Sequence, residues 1–332
     1  MKAITYRSFG PARDVLQVEE IACPAPAPGE VTVDIVCSAV NPSDVKARAG
    51  ARVGVTELPW PFIIPHSDGA GVISAVGDGV DPGRIGQRVW LWNGQWHRPM
   101  GTAAEQITLP HDQAVALPEG VGFDSGAVLG IPGLTACHAV FSGGDVRGKT
   151  VLVQGGAGTV GLLAVQLAKW GGATVIATAG AGNKDRVLAA GADAVADYKA
   201  PDLADRILAE TNGVPVDHIV EVEFGTNAQV DTDVIAENGR ITAFGSAREM
   251  TPVLPFYPLM FKSVTLEMML VYLLNAEKRQ AAIARLDDAL ADGALTIAVQ
   301  ERFDLLQGAA AHEAVEAGNR SGAVLIETGF SG

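Results

Sequence analysis

The sequence predicts an α/β protein of two domains, in which a compact, mostly antiparallel β domain precedes a doubly wound parallel sheet. Three observations support this prediction. The 332 residues suffice for about two domains. The first third of the chain alternates apolar and polar residues in short runs that Pro and Gly separate. From residue 125 onward, short apolar runs alternate with stretches of helical spacing.

The predicted β domain begins with a half-buried strand at residues 31–36, where apolar and polar side chains alternate. Residues 71–77 and 88–92 are predicted as further strands. A Gly/Asp/Pro turn follows the first of these, and a Pro-rich segment at 24–29 precedes the whole group. Short strands with such breaks between them favour antiparallel pairing.

The predicted second domain starts with a helical region at 125–141 that Ile131, Pro132 and Gly133 interrupt. Helices are expected at 160–170 and 184–190, and strands at 150–154, 173–178, 194–197, 216–221 and 239–245. The last segment of the chain is expected to mix a helix at 276–291 with short strands at 298–302 and 324–327. Strands that alternate with helices at this spacing indicate a parallel sheet.

Composition and charge exclude several classes of protein. The net charge of −14 disfavours binding to nucleic acid or to anionic lipid. The three cysteines, Cys23, Cys37 and Cys137, are too few for a disulfide framework and lack metal-ligand spacing, which favours a reducing, cytoplasmic compartment. The longest apolar stretch, 264–274, is too short to span a bilayer and contains Glu267. We therefore expect a cytoplasmic protein without membrane or nucleic-acid partners.

A G-x-G-x-x-G motif follows the predicted strand at 150–154 and opens the next predicted helix, which is the context of a dinucleotide-binding Rossmann domain. We expect Gly156 to permit a tight turn, Gly158 to let the backbone approach a pyrophosphate, and Gly161 to let helix and strand pack closely. The alternative is a glycine-rich turn that binds no ligand. The loop residues assigned to cofactor binding are Gly156, Ala157, Gly158, Thr159, Val160 and Gly161.

The end of the second strand predicts which dinucleotide binds. NAD sites carry an acidic residue there for the ribose 2′-hydroxyl, but no carboxylate stands between Thr178 and Lys184. Thr178, Gly180 and Lys184 are therefore assigned to the cofactor site, with Lys184 attracting a 2′-phosphate. Arg186 either assists Lys184 or solvates a helix face. The sequence predicts NADPH rather than NADH.

Several motifs spread along the chain identify a family. They include V-N-P-S-D at 40–44, P-H-S-D-G-A-G at 65–71, G-Q-R-V at 86–89 and F-G-S at 244–246, besides the glycine motif. On these residues the chain resembles the zinc-independent, zeta-crystallin-like quinone oxidoreductases of the medium-chain dehydrogenase/reductase superfamily. The resemblance implies a chaperonin-10-like β domain from residues 1–124 and 266–332, with a Rossmann domain from 125–265 inserted. It also implies a homodimer or homotetramer formed by edge pairing of the dinucleotide sheet.

The same resemblance argues against zinc. The superfamily's zinc alcohol dehydrogenases have a cysteine ligand at the position of Asn41 and a histidine ligand at the position of Ser67. The six histidines, His66 among them, are scattered along the chain, and each is interpreted as structural. Without a metal to polarise an alcohol oxygen, hydride transfer to a quinone or another electron-poor conjugated carbonyl becomes the expected reaction.

The resemblance assigns further site residues. Asn41 would stand beside the nicotinamide or substrate, or would only form the turn before Pro42; Thr135 would lie near the carboxamide, or would only pack its helix. Relatives have a tyrosine shortly after the position of Asn41, and here Lys46 or water would replace it as proton donor. The further cofactor residues that the resemblance implies are Tyr198, Phe244, Gly245, Ser246 and Arg320.

Two other features bear on the substrate. The resemblance places the segment with Trp92 and Trp96 at the substrate mouth, where these rings could stack on a flat acceptor, whereas Trp90 is assigned to the core. Glu223 stands where relatives carry small or apolar residues. The expected function is an NADPH-dependent quinone or enone reductase. The alternatives are an enoyl-thioester or alkenal double-bond reductase and a non-catalytic NADPH-binding protein.

Overall fold

The computed structural model describes residues 1–52, 54–318, 320–330 and 332. The chain forms two compact units, residues 1–131 with 297–332 and residues 132–296. We had expected the second domain to span 125–265. Residues 125–131 belong to the first unit instead. Residues 266–296 belong to the second unit, because a strand at Thr265–Met268 extends its sheet and a helix at Ala276–Ala291 packs on a helix at Leu134–Phe141.

The amino-terminal part of the first unit is mostly β structure. Its strands are β1 (Lys2–Thr5), β2 (Gln17–Glu20), β3 (Glu30–Val40), β4 (Asp68–Val76), β5 (Arg88–Leu91), β6 (Gln106–Pro110) and β7 (Ala114–Ala116). Its helices are α1 (Ala12–Val15), α2 (Pro42–Arg48) and α3 (Phe123–Gly126). A π-helical turn at Leu129–Gly133 contains Pro132 and interrupts the helical region at the predicted place.

Alternation along β3 builds the core of the first unit. Val31, Val33 and Ile35 are fully buried, while Asp34 between them is only half-buried. β3 pairs antiparallel with both β4 and β6, and β5 joins β4 to β7. The predicted antiparallel β domain is confirmed.

The second unit contains β8 (Thr150–Val153), β9 (Thr174–Ala179), β10 (Ala194–Asp197), β11 (Val216–Glu221), β12 (Ile235–Ala243) and β13 (Thr265–Met268). Its helices are α4 (Leu134–Phe141), α5 (Thr159–Trp170), α6 (Lys184–Ala189), α7 (Leu203–Glu210), α8 (Phe224–Val234), α9 (Phe256–Phe261) and α10 (Ala276–Ala291). None of the helices among the residues described is both long and apolar enough to cross a membrane.

A six-stranded parallel sheet with the order β10-β9-β8-β11-β12-β13 forms the centre of the second unit. Val151, Leu152 and Val153 on β8 are all fully buried, although successive side chains point to opposite faces. Both faces of β8 are therefore covered, as a doubly wound sheet requires. The predicted α/β fold with a Rossmann-type sheet is confirmed.

The carboxyl-terminal segment returns to the first unit as β14 (Val299–Asp304), α11 (Gly308–Glu316) and β15 (Ala323–Glu327). β15 pairs antiparallel with β3, and β14 lies parallel to β15 at the edge of the sheet. The chain thus completes its first domain only after the second one has been inserted.

Candidate functional site

The order in which the chain connects the strands of the parallel sheet indicates where a ligand binds. The chain runs from β8 outward to β9 and β10, then returns to β11 on the other side of β8. The direction of winding therefore reverses between β8 and β11. Ligands of such sheets bind outside the carboxyl ends of the strands at this reversal.

The loop after β8 makes its tight turn one residue earlier than predicted. Gly155 adopts φ +69°, a conformation that favours glycine, whereas Gly156 has no positive φ. Gly156 instead lies against β9, because a Cβ there would stand 2.8 Å from Cβ of Ala177. The turn role expected of Gly156 thus belongs to Gly155, and Gly156 permits close packing.

The other two motif glycines have different surroundings. A Cβ on Gly161 would lie 2.2 Å from the carbonyl oxygen of Gly155, so only glycine allows α5 to approach the loop this closely. A Cβ on Gly158 would meet only that same carbonyl oxygen, at 3.6 Å. Gly158 caps α5 without a side-chain hydrogen bond. The N-terminus of α5 is thus open at Gly158, which fits a pyrophosphate.

The end of β9 brings three predicted residues together. The hydroxyl of Thr178 accepts a hydrogen bond from Gly155 N at 3.0 Å. Gly180 faces the ring of Tyr198, whose Cε1 would be 3.5 Å from a Cβ at that glycine. Thr178 thus contacts the glycine-rich loop itself, and Gly180 and Tyr198 lie next to each other after the ends of β9 and β10.

Lys184 begins α6 and lines a cavity of about 320 Å³ beside β9 and β10. Arg206 supplies a second cation to this cavity and pairs with Asp202 at 2.7 Å. Asp197 and Glu210 supply carboxylates. The lysine is exposed, so its ammonium group is accessible to a charged ligand.

The segment 244–246 lies beside the end of β11. Phe244 N donates to the carbonyl of Glu221 at 3.0 Å, and the carbonyl of Gly245 accepts from Phe224 N at 2.9 Å. Ser246 Oγ accepts from Gly225 N at 2.9 Å and so satisfies the first turn of α8. These contacts place all three predicted residues at the carboxyl edge of the sheet.

Two further predicted residues are described within their own units. Thr135 is buried in the first turn of α4 in the second unit. Arg320 belongs to the first unit, where burial lowers the pKa of its guanidinium from the ordinary value. Both remain predictions as cofactor residues.

A buried polar cluster in the first unit surrounds Asn41. This residue caps α2, and its backbone N–H donates to Asp44 Oδ2 at 2.8 Å. Its side-chain Nδ2 donates to Asp68 Oδ2, also at 2.8 Å. All three side chains are buried. Asp68 starts β4, so the end of β3 and the start of β4 together hold the Asn41 amide in one orientation.

Burial raises the pKa of both carboxyl groups in this cluster. The pKa of Asp44 rises to about 7 despite the hydrogen bonds from Asn41. Burial, with the nearby charge of Asp44, raises the pKa of Asp68 well above its usual range. The raised pKa favours the protonated form of Asp68, whose Oδ2 accepts the hydrogen bond from the Asn41 amide.

The structure does not bring Lys46 to this cluster. Asp44, Val45 and Arg48 form the buried face of α2, whereas Lys46 is exposed. Residues two apart on a helix point in nearly opposite directions. Lys46 thus faces away from Asn41.

The tryptophan segment follows β5. Trp90 is fully buried, as expected for a core residue. Trp92 is also buried, and its indole N–H donates to the carbonyl of Asp112 at 3.2 Å. Trp96 is half-buried and lies edge-on to His97 with ring centroids 4.4 Å apart. A substrate-facing role for Trp92 and Trp96 remains a prediction.

The sequence suggested that the histidines are isolated from one another, but two of them are in contact. His66 and His312 stack in the first unit, with their Nε2 atoms 2.9 Å apart, and His66 Nδ1 lies 2.9 Å from Ser38 Oγ. Burial lowers the pKa of both imidazoles, to about 3 for His312. The pair is neutral at pH 7 and closes a buried hydrogen-bond network, a structural role.

The residues present do not fit a zinc ion. Within residues 1–52, 54–318, 320–330 and 332, no cluster of three or more His, Cys, Asp or Glu side chains is arranged to hold a metal. The amide of Asn41 is already bonded to Asp68, and amide and hydroxyl groups are poor substitutes for cysteine and histidine ligands.

Sequence reasoning missed a buried carboxyl pair near the carboxyl end of β11, Glu221 and Asp231, with Gln154 beside it. It drew attention to Glu223, which is only half-buried and whose Oε1 accepts from Arg248 N at 2.7 Å. A signal was present, since Gln154 and Glu221 are polar residues at the ends of apolar strands.

A stability measurement tests the ionisation of Asp68. Asp44 and Asp68 keep protons that the unfolded chain releases above pH about 4, so unfolding becomes easier as pH rises toward their raised pKa values. The neutral histidines oppose this trend only below pH about 6.5. We expect the free energy of unfolding to fall as the pH rises from about 6.5 to about 8, and to fall less in Asp68→Asn. Urea denaturation at each pH gives this free energy, and a fall of the same size in both proteins would contradict a raised pKa for Asp68.

Comparison with known proteins matches both units. Residues 27–119 match the family described as alcohol dehydrogenase GroES-like domain, and residues 159–288 match the family described as zinc-binding dehydrogenase. The quinone oxidoreductase of Rattus norvegicus is 34% identical over 250 residues, which cover 74% of this chain and 73% of the relative.

Solved structures match almost the whole chain. The quinone oxidoreductase of Escherichia coli, crystallised with NADPH, superposes with a TM-score of 0.84 at 26% identity, covering 99% of this chain and 100% of that one. A crystal structure of an NAD-dependent alcohol dehydrogenase superposes with a TM-score of 0.88 at 28% identity and the same coverage. The fold is thus shared by oxidoreductases that differ in cofactor and substrate.

Proposed function

Because the chain belongs to the quinone oxidoreductase family of the medium-chain dehydrogenases and reductases, we propose that it is an NADPH-dependent reductase of quinones or other electron-poor conjugated carbonyls. The observation that carries this proposal is the glycine-rich loop at the sheet reversal, where α5 opens at Gly158 with no side chain in the way. Such a helix terminus attracts the pyrophosphate of a dinucleotide.

The choice of NADPH rests on the residues after β9. No carboxylate stands from Thr178 to Lys184, so nothing in this segment repels a 2′-phosphate. Lys184 is exposed at the start of α6, where a charge-assisted contact with that phosphate would favour NADPH over NADH. Tyr198 lies beside Gly180 on the neighbouring strand end and is proposed to pack against the adenosine portion.

The reaction we propose needs few groups from the protein. NADPH, when bound, supplies the hydride. A conjugated acceptor is already electron-poor, so its carbonyl needs a hydrogen-bond donor or a proton rather than a metal. Asn41, held in place by Asp44 and Asp68, is proposed as the polar group that faces the acceptor. Lys46 faces away from Asn41, so water, the other donor considered, is proposed to supply the proton.

A turnover assay tests this function. Metal-free protein is mixed with NADPH and 1,4-benzoquinone, 9,10-phenanthrenequinone, an enone or an enoyl-thioester, and cofactor oxidation is followed with NADH in parallel. Rapid quinone or enone reduction with NADPH is the expected result. Turnover of the enoyl-thioester alone would show a double-bond reductase instead. Tight NADPH binding without any turnover would show a binding protein.

We also propose a homo-oligomer that forms through β13, a terminal strand of the parallel sheet. Large apolar side chains are exposed on and near this strand: Phe256, Tyr257, Phe261, Met268 and Leu273. An exposed strand edge next to such a patch favours pairing with a second copy. Light scattering should give two or four times 34.4 kDa, and the monomer mass would contradict the proposal.

The free state of all three cysteines agrees with a cytoplasmic location, which stays a prediction.

A further inference from the structure

A chain of buried side chains lies directly beneath the glycine-rich loop of the second unit. Gly155 N donates to Thr178 Oγ1 at 3.0 Å, and the Thr178 hydroxyl in turn donates to Gln154 Oε1 at 2.7 Å. Gln154 Nε2 then donates to Asp231 Oδ1 at 2.9 Å. The Thr178 hydroxyl donates its one proton to Gln154, so its oxygen lone pairs remain available to accept from Gly155 N. The orientation of the Gln154 amide therefore sets the orientation of the Thr178 hydroxyl.

The chain ends at a pair of buried carboxyl groups. Asp231 on α8 and Glu221 at the end of β11 interact electrostatically, and neither side chain is exposed to solvent. Carboxylates carry only acceptors, so a direct hydrogen bond between the two groups requires a proton on one of them. The Glu221 carboxylate accepts from Glu223 N and from Asn227 Nδ2, which favours its charged form, whereas Asp231 accepts only from Gln154 among the hydrogen bonds found in the described residues.

The surroundings of the pair favour a proton on Asp231. Burial raises the pKa of both carboxyl groups, and Glu221 raises the pKa of Asp231 further, whereas Glu223 N, Asp231 and Asn227 lower the pKa of Glu221. Glu223 adds a further negative charge near Glu221. The raised pKa of Asp231 favours its protonated form, which can donate to Glu221 while it accepts from Gln154.

We propose that Asp231 is a positioning residue for the dinucleotide site, holding the backbone of Gly155 in its binding conformation through Gln154 and Thr178. Gly155 has φ +69° and is followed by Gly156, which packs closely against β9. The direction of the Gly155 N–H therefore sets the path of the backbone through the loop. Without Asp231, Gln154 is free to turn its amide, and Thr178 loses the acceptor that orients its hydroxyl. This inference rests on the proposed cofactor site and adds the residues that shape it.

The conservative variant separates hydrogen bonding from charge. In Asp231→Asn the new Nδ2 can donate to Glu221 while Oδ1 still accepts from Gln154, so the chain of bonds stays intact. Asp231→Ala leaves Gln154 without its partner in a buried site. Asp233→Ala is the matched control, because Asp233 lies on the same helix, is exposed and accepts only from Gln229 among the hydrogen bonds found for its side chain in the residues described.

Two measurements test the proposal on the full chain. Calorimetric titration with NADPH should show wild-type affinity in Asp231→Asn and Asp233→Ala, and binding weakened roughly 10- to 100-fold in Asp231→Ala. Hydrogen exchange of the free protein should show faster exchange at residues 154–156 in Asp231→Ala alone, with the β10 amides unchanged. Wild-type protection of 154–156 in Asp231→Ala would overturn the proposal.

The exchange measurement also keeps two failures distinct. If the wild-type protein does not bind NADPH, the proposed function fails, yet the exchange of residues 154–156 still shows whether Asp231 orders the loop. If Asp231→Asn loses loop protection as fully as Asp231→Ala, a neutral hydrogen-bonded side chain is not what the loop requires, and the proposal is overturned. Rescue by Asn with loss in Ala supports it.

Discussion

Gly158→Ala is expected to weaken NADPH binding by roughly 100-fold while leaving the stability of the free protein almost unchanged. The residue has φ −73° and ψ 167°, which any L-amino acid adopts, and its new Cβ would meet only the Gly155 carbonyl oxygen at 3.6 Å. The methyl group would occupy the open space in front of the first turn of α5. That is the space a pyrophosphate needs in order to approach the backbone.

Two small terms nearly cancel in the stability of this variant. Alanine is a poorer helix cap than glycine by a few tenths to about 1 kcal/mol. Replacing glycine also reduces the freedom of the unfolded chain, which stabilises by about 0.4–1 kcal/mol where the backbone is compatible. A change in melting temperature of only a few degrees is therefore expected, so the binding loss can be attributed to the ligand site.

Gly161→Ala provides the contrast within the same motif. A Cβ there would lie 2.2 Å from the Gly155 carbonyl oxygen, so the backbone itself must shift. We expect this variant to lose both stability and NADPH binding. Titration calorimetry and thermal melts of the two variants separate the roles. Wild-type affinity in Gly158→Ala would show that no pyrophosphate binds at the start of α5.

Local sequence patterns predicted most of the fold because its elements have strong local signals. β10, β11 and α10 begin and end at the predicted residues, since each is bounded by breaks or by a change of period. The glycine motif was located correctly but its turn was placed at Gly156 rather than Gly155. A motif gives the spacing of glycines, whereas the backbone angle depends on how β9 packs against the loop.

Contacts between distant residues were beyond sequence reasoning. His66 and His312 come from opposite ends of the chain and meet only because α11 returns to the first unit. Glu221 and Asp231 are close in sequence, but their carboxyl groups meet through the packing of α8 against β11. The domain boundary at 265 was placed too early for the same reason, because β13 is recognised only by its pairing with β12.

These buried groups share one physical feature that connects the fold to the site. Burial raises the pKa of both Asp68 and Asp231, and each accepts a hydrogen bond from an amide side chain, Asn41 in one unit and Gln154 in the other. A neutral acid can be buried at lower cost than a carboxylate and still orients its partner. Asp68 thus orients Asn41 in the first unit, and Asp231 orients Gln154 beneath the glycine-rich loop in the second. Sequence reasoning assigned a role to neither aspartate.

Lys184→Ala is expected to weaken NADPH binding by about 1–3 kcal/mol, the cost of losing a charge-assisted contact, and to leave NADH binding unchanged. The ammonium group lies at the start of α6, beside the cavity that Asp197 and Arg206 also line. NADH lacks the 2′-phosphate, so it has no partner for Lys184. Titration of both cofactors at constant ionic strength gives the two affinities.

Lys149→Ala controls for the loss of one positive charge. Lys149 directly precedes β8 and so lies at the amino edge of the same sheet, opposite the edge where Lys184 stands. It should change neither affinity by more than about twofold, because charges separated by more than a Debye length are largely screened. If Lys184→Ala weakens NADPH and NADH equally, its effect comes from the loop or from α6, and discrimination between the cofactors must then depend on other residues of this site.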